Sequence, residues 1–166
     1  TPREAVPAQT QELGNSLLSA GRFAALTVAG GQGTRLGFDG PKGAFRISPV
    51  KDKPLFQLFA ESILAARKNH NARIPWYVMT SPANDEATRC YFVENEYFGL
   101  PAADVLFFQQ AVMPAFDQLG KILLDQPHRV ALSPDGHGGS LLALATTGML
   151  ADMARRGIEH VSYFQV

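Results

Sequence analysis

At 166 residues and 46% hydrophobic content, the chain is long enough for one domain with a sizeable core and too apolar to be disordered. Fifteen Lys plus Arg balance fifteen Asp plus Glu, so no bulk charge points to a nucleic-acid partner or a membrane surface. A lone cysteine, Cys90, excludes a disulfide framework and a multi-cysteine metal site; no apolar run approaches the roughly 18 residues of a membrane span, and TPREAVPAQTQ lacks a signal-peptide pattern, so a cytoplasmic protein is expected.

In chain order, Thr10 to Ala20 reads as a helix stopped by Gly21. Phe23 to Ala29 is a short apolar run closed by glycines, the pattern of a fully buried strand. Gly30 to Gly43 is loop, with seven Gly or Pro in fourteen residues. Pro54 can occupy the first position of a helix, in which Phe56, Phe59, Ile63 and Ala66 recur at helical spacing and Arg67-Lys68 suit the end. Ile74 to Thr80 is the second strand. SPANDE then starts a helix running to about Asn95, with Asp85 and Glu86 near its positive end. Val105 to Gln109 is the third strand, Ala115 to Leu124 an irregular hairpin arm, and Arg129 to Leu132 a short strand. Ser140 to Arg156 reads as one helix closed by Gly157, and His160 to Val166 as the last strand. This alternation predicts an α/β domain with a mostly parallel sheet. A buried strand with nothing after it reads as part of a longer chain. The expected division is an N-terminal helical extension, 1–22, and the α/β domain, 23–166, truncated at its C-terminal end.

Charge is uneven along the chain. Residues 1–75 carry ten Lys/Arg against five Asp/Glu, and residues 76–166 the reverse. Chance scatter of solvated charges is the plain explanation; a cationic site for an anionic ligand in the first half is the sharper one.

Ligands of open α/β sheets sit beyond the carboxyl ends of the strands. Three such ends are unusual here. The first is Gly30-Gly31-Gln32-Gly33-Thr34-Arg35-Leu36-Gly37, running on to Gly40-Pro41-Lys42-Gly43. Glycines let backbone N–H groups approach a phosphate or base, and Arg35 and Lys42 add positive charge. A mere connector has no need of four glycines in eight residues plus two cations. The dinucleotide fingerprint fails because Leu36 stands at its last glycine, and the ATPase loop fails because no Gly-Lys-Ser/Thr occurs. The second end is Phe107-Phe108-Gln109-Gln110. A glutamine amide offers a donor and an acceptor, matching the edge of a pyrimidine such as uracil; taken alone, a surface glutamine pair is the commoner case. The third is Pro134-Asp135-Gly136-His137-Gly138-Gly139, where Asp135 is more commonly a turn former. There His137 is equally a ligand hydrogen-bonder or a turn histidine. Cys90 has only Arg89 as a basic neighbour and reads as a structural thiol. His70, His128 and His160 lack metal-ligand spacing, and Trp76 and Tyr77 read as core.

Taken together, VAGGQGTRLG, GPKG, LF-x-x-FAE-x-IL, IPWYVMTS, YFGL, VLFFQQ-x-x-MPA, GKILL, SPDGHGG and MARRGIEHVSYFQV resemble the UDP-N-acetylglucosamine pyrophosphorylases. These are UTP-dependent sugar-1-phosphate uridylyltransferases of a Rossmann-like nucleotidyltransferase fold, similar to the glycosyltransferase-A domain. The resemblance covers nearly everything from Ala24 onward, with AGGQGTRLG followed by PKG as its specific part, and it implies that 23–166 is a UTP-binding nucleotidyltransferase domain. UDP-glucose enzymes usually differ where Gln32 and Arg35 stand. The resemblance implies that Gly30, Gly31, Gly33, Thr34, Gln110 and Gly136 hold the nucleotide, with Gln110 on the uracil edge. It implies that Arg35 and Lys42 are catalytic, holding the UTP phosphates, and that His137 lies near the ribose or sugar. The family more often has Asn at that position; histidine there resembles the broader UDP-sugar enzymes. UTP, a sugar-1-phosphate and Mg²⁺ are the implied partners and cofactor. The resemblance puts the Mg²⁺-binding Asp just after the last strand, so no metal ligand is assigned within these residues and this chain alone is expected not to turn over.

Overall fold

The computed structural model describes residues 7–166; the first six residues of the expected N-terminal extension lie outside that range. Helix α1 (Ala8–Ser19) leads into strand β1 (Phe23–Val28), and α2 (Leu55–His70) into β2 (Trp76–Thr80). Helix α3 (Asp85–Glu94) leads into β3 (Val105–Gln109). An antiparallel arm follows, in which β4 (Val112–Pro114) pairs with β7 (Leu132–Pro134) and β5 (Leu124–Gln126) with β6 (Arg129–Val130). Helices α4 (Ser140–Thr146) and α5 (Met149–Arg155) precede β8 (His160–Gln165).

The main sheet has the order β3-β2-β1-β8, and every pairing in it is parallel. A parallel sheet is covered on both faces, which is why β1 and β2 read as continuous apolar runs rather than alternating ones. Ala25, Trp76 and Val78 face a cluster with Phe56, Ala60, Ile63 and Phe92 from α2 and α3. Ala24, Leu26, Tyr77 and Met79 face the other cluster, with Ala143, Leu144 and Met153 from α4 and α5. Both core aromatics of β2 find polar partners: the Trp76 indole donates to Thr27 Oγ1 at 2.7 Å, and the Tyr77 hydroxyl donates to Asp152 Oδ2 at 2.7 Å.

The expected single helix from Ser140 to Arg156 is broken. Gly148 adopts φ +78°, a left-handed conformation that ends one helical segment and starts the next. The expected hairpin arm is more regular than its sequence indicates, because β4–β7, the Phe116–Ile122 bridge and β5–β6 form a long antiparallel ribbon. Pro54 stands one residue before α2, in an extended conformation, rather than in the first helical position. Cys90 is exposed on α3, so it packs into no core. Among the described residues no helix is long and apolar enough to cross a membrane.

Candidate functional site

Parallel pairing brings the carboxyl ends of the four strands to one edge of the sheet. The ladder continues past each strand: Ala29 N–H donates to Met79 O at 2.7 Å, Gln110 N–H to Thr80 O at 2.9 Å, and Val166 N–H to Val28 O at 3.1 Å. The residues after β1, β3 and β8 are therefore held by backbone bonds rather than left as free loop. The arm returns beside them, because Asp135 N–H donates to Ala111 O at 3.2 Å.

One cavity of about 260 Å³ is lined by Gly30, Gly31, Gln110, Gly136, His137 and Val166, among others. All three strand ends singled out from sequence thus meet at a single cleft. Gln110 is only 6% exposed, yet its amide has no hydrogen-bond partner among the described residues. It lies flat against Gly30, where an added Cβ would sit 2.6 Å from Nε2. Its nitrogen and oxygen are not sealed off but reach the cavity, so the amide is open to a group that offers it an acceptor and a donor. Gly136 has φ +71°, which favours glycine, and it turns the chain into the cavity wall beside His137.

A second cavity, about 490 Å³, is lined by Gly31, Gln32, Thr34, Arg35, Leu36 and Lys42. Gly31 belongs to both. The loop between Gly30 and Gly43 is folded back on itself: Gly33 N–H donates to Gly40 O at 2.9 Å and Lys42 N–H to Gly31 O at 3.1 Å. That fold-back places the Lys42 ammonium at the junction, where it donates to Val166 O at 3.1 Å. Arg35 is exposed and makes no ion pair among the described residues. The N–H groups of Gly30, Gly31 and Gln32 have no protein acceptor there either. Three consecutive open amides beside two cations form an arrangement suited to phosphate oxygens.

Gly33 differs from its neighbours. It lines neither cavity; its Cα packs on Phe38, 2.7 Å from where a Cβ would stand, so its smallness serves the loop's own packing. Gly43 is similar, with the Phe56 ring 2.3 Å from a Cβ. A separate apolar groove of about 460 Å³, lined by Leu18, Phe23, Phe59 and Phe164, holds no titratable side chain and offers no chemistry.

The model of the family described as UTP–glucose-1-phosphate uridylyltransferase matches residues 2–164. This chain belongs to that uridylyltransferase family. It is 42% identical over 158 residues to a UDP-N-acetylglucosamine pyrophosphorylase of Saccharomyces cerevisiae, covering 93% of this chain and 33% of that protein. It also resembles the crystal structure of the uridine diphosphate N-acetylglucosamine pyrophosphorylase from Trypanosoma brucei in complex with an inhibitor. That match has a TM-score of 0.87 and 33% identity, over 95% of this chain and 34% of the other. A point mutant of UDP-glucose pyrophosphorylase from Leishmania major shares the fold, with a TM-score of 0.68 at 19% identity over 90% of this chain and 31% of the other. The chain spans about a third of the length of the curated relatives it matches.

The sequence reading of this uridylyltransferase chain missed Asn84, which stands behind the glycine loop. Its amide donates to Ala29 O at 2.8 Å and to Gly31 O at 3.1 Å, while its Oδ1 accepts from the Ser81 N–H and hydroxyl at 2.8 and 3.0 Å. The only local signal was the Ser81-x-x-Asn84 spacing, which also fits an ordinary helix start. Next to it, burial works to raise the Asp85 carboxyl. Hydrogen bonds from Arg89, Thr80 and Gln109 outweigh that and hold it below the usual carboxylate range. Asp85 therefore stays charged and anchors the Thr80 hydroxyl at the end of β2. No group of three or more His, Cys, Asp or Glu side chains among the described residues comes together to hold a metal. Asp39 and Asp135, the carboxylates within the two glycine-rich loops, are not part of either cavity wall, although Pro134 and Gly136 on either side of Asp135 line the first.

Proposed function

We propose that the protein is a uridylyltransferase that makes UDP-N-acetylglucosamine and pyrophosphate from UTP and N-acetylglucosamine-1-phosphate, with this chain supplying the nucleotide-binding part. The observation that carries the reading is the convergence of Gln110, its amide open to the cavity and free of protein partners among the described residues, with Gly30 and Gly31, next to a cavity walled by Arg35 and Lys42. In this reading uracil packs against the backbone of Gly30 and Gly31, and the Gln110 amide, itself in contact with Gly30, meets its edge with one donor and one acceptor. The triphosphate runs past Gly31 toward Thr34, Arg35 and Lys42, and Gly136 and His137 flank the ribose or the sugar.

An oxygen of the sugar phosphate attacks the α-phosphorus of UTP. The new P–O bond forms as the bond to the β-phosphate's bridging oxygen breaks, and pyrophosphate leaves with that electron pair. No protein nucleophile is needed. The chain's part is to hold the reacting groups in line and to spread positive charge over the transferring phosphorus and the leaving oxygen. Lys42 and Arg35 carry that role. Mg²⁺ and a cytoplasmic location belong to the same proposal. Mg²⁺, when bound, would supply further positive charge to the triphosphate oxygens.

The identities of 33–42% to N-acetylglucosamine enzymes, against 19% to a UDP-glucose enzyme, support the choice of sugar. A histidine at position 137, on the cavity wall, favours a second reading, a UDP-glucose or broad UDP-sugar pyrophosphorylase. The test is pyrophosphate release by the full-length protein with UTP or ATP, and with N-acetylglucosamine-1-phosphate or glucose-1-phosphate. Turnover that needs UTP and favours the N-acetylated sugar is expected. Equal rates with both sugars select the broad enzyme. UTP binding without turnover would make the protein a non-catalytic nucleotide-sugar binder.

A further inference from the structure

The side chain of Asn84 points away from the helix it precedes. Asn84 holds the N-cap position of α3, where an asparagine ordinarily accepts a hydrogen bond from the first turn, worth about 1 kcal/mol to the helix. Here it makes no such bond. It is 1% exposed and uses two donors and two acceptor contacts, one pair on the glycine loop and the other on Ser81. An amide turned the other way would set carbonyl against carbonyl, so the network fixes its orientation.

We propose that Asn84 is a positioning residue that sets the backbone of the glycine loop for UTP. The proposal rests on the uridylyltransferase reading and adds to it a residue that touches no substrate. A peptide unit is planar, and no described peptide bond is cis, so each N–H points opposite to its C=O. Holding the Ala29 carbonyl therefore turns the Gly30 N–H away from Asn84, and holding the Gly31 carbonyl turns the Gln32 N–H away likewise. Asn84 lines neither cavity, while Gly30, Gly31 and Gln32 do. The side chain thus grips the loop from behind and presents its open amides forward.

The same grip reaches the catalytic lysine. The Gly31 carbonyl accepts from Asn84 Nδ2 and from the Lys42 N–H, each at 3.1 Å. One carbonyl oxygen therefore joins the end of β2 to the backbone of Lys42. A second tie runs alongside, from Gln32 Nε2 to Ala83 O at 3.1 Å. Glycines have the widest backbone freedom of any residue, so a loop built from them needs an external clamp to be preorganised.

The experiment uses the full-length protein, with Asn84→Ala and the near-isosteric Asn84→Asp as a second variant that keeps the side chain's volume. Thr27→Val is the control, because it removes an equally buried hydrogen bond, to Trp76, without touching the loop. Two quantities are read: amide hydrogen exchange of peptides covering residues 29–42 without nucleotide, and UTP affinity by calorimetry. The expected result is faster exchange across 29–42 and UTP binding weakened about tenfold or more in both Asn84 variants, with neither change in Thr27→Val. Unaltered exchange, or unaltered UTP affinity, in a folded Asn84 variant overturns the proposal alone. Equal loss of affinity in Thr27→Val also overturns it, since the effect is then one of general stability. A wild-type protein that does not bind UTP overturns the functional reading and this proposal with it.

Discussion

Gly30→Ala separates recognition of the base from folding. Gly30 does not sit in the left-handed region, so its backbone accepts alanine. The new Cβ would stand 2.6 Å from Gln110 Nε2, 3.0 Å from Cδ and 3.3 Å from Oε1. Ordinary contacts fall near 3.5–4.0 Å, so the amide must retreat by roughly 1 Å. Gln110 meets this with the end of a flexible side chain, at about 0.5–1.5 kcal/mol of rotamer strain. The effect on the ligand is larger. An amide displaced that far loses its hydrogen bonds to the base, worth roughly 1–3 kcal/mol, or about 5- to 150-fold in UTP affinity. The assay is calorimetric titration of the full-length protein with UTP, as a double-mutant cycle with Gln110→Ala. Once Gln110 is truncated the added methyl has no amide to displace, so the double variant should bind no worse than Gln110→Ala alone. Wild-type affinity in Gly30→Ala, or strictly additive losses, would refute the uracil assignment.

Lys42→Ala should lower turnover by roughly 10²–10³ while leaving the thermal midpoint nearly unchanged, because its exposed ammonium contributes charge and one backbone contact rather than packing. Steady-state kinetics and a melt on the same preparation check both halves. Gly43→Ala should behave in the opposite way, since its Cβ would overlap the fully buried Phe56 ring at 2.3 Å; overpacking of that kind costs about 1–3 kcal/mol, read from urea unfolding. Asp152 gives an acid-stability prediction. Burial works to raise its carboxyl, but the Tyr77 hydroxyl and Arg156 outweigh it and hold it below its ordinary value. Its contribution is complete above about pH 4 and is lost as pH falls through the lowered folded value, so Asp152→Asn should be destabilised at neutral pH and show a flatter acid limb in urea midpoints measured against pH.

Much of the fold is legible locally. The runs FAALTV, WYVMT and VLFFQ are apolar without alternation, the mark of strands covered on both faces, and they lead into Ala29-Gly30, a helix start and Gln110. The break at Gly148 was not legible, because the apolar residues on both sides keep helical spacing across it. A single left-handed φ interrupts the hydrogen-bond ladder without disturbing that pattern. The arm from Val112 to Pro134 was hard to read for another reason. Its strands are two or three residues long and largely exposed, so no buried face imposes a period on the sequence.

The sequence by itself determined that glycine-rich turns and a glutamine would follow buried strands, and in a parallel sheet all strand ends share one edge. Which glycine does what was decided by the tertiary structure. Gly30, Gly33 and Gly43 lie in one loop and look alike in one dimension. In three, they face Gln110, Phe38 and Phe56 respectively, so the first makes room for a ligand-reading amide and the other two for the protein's own packing. The same holds for Asn84, whose helix-start signal is local while its partners, Ala29 and Gly31, lie more than fifty residues upstream. Composition and spacing report the conformations a segment can adopt. The role of a small or polar residue depends on which distant atoms the sheet brings within about 3 Å of it, and that is settled only when β1, β2 and β3 pair.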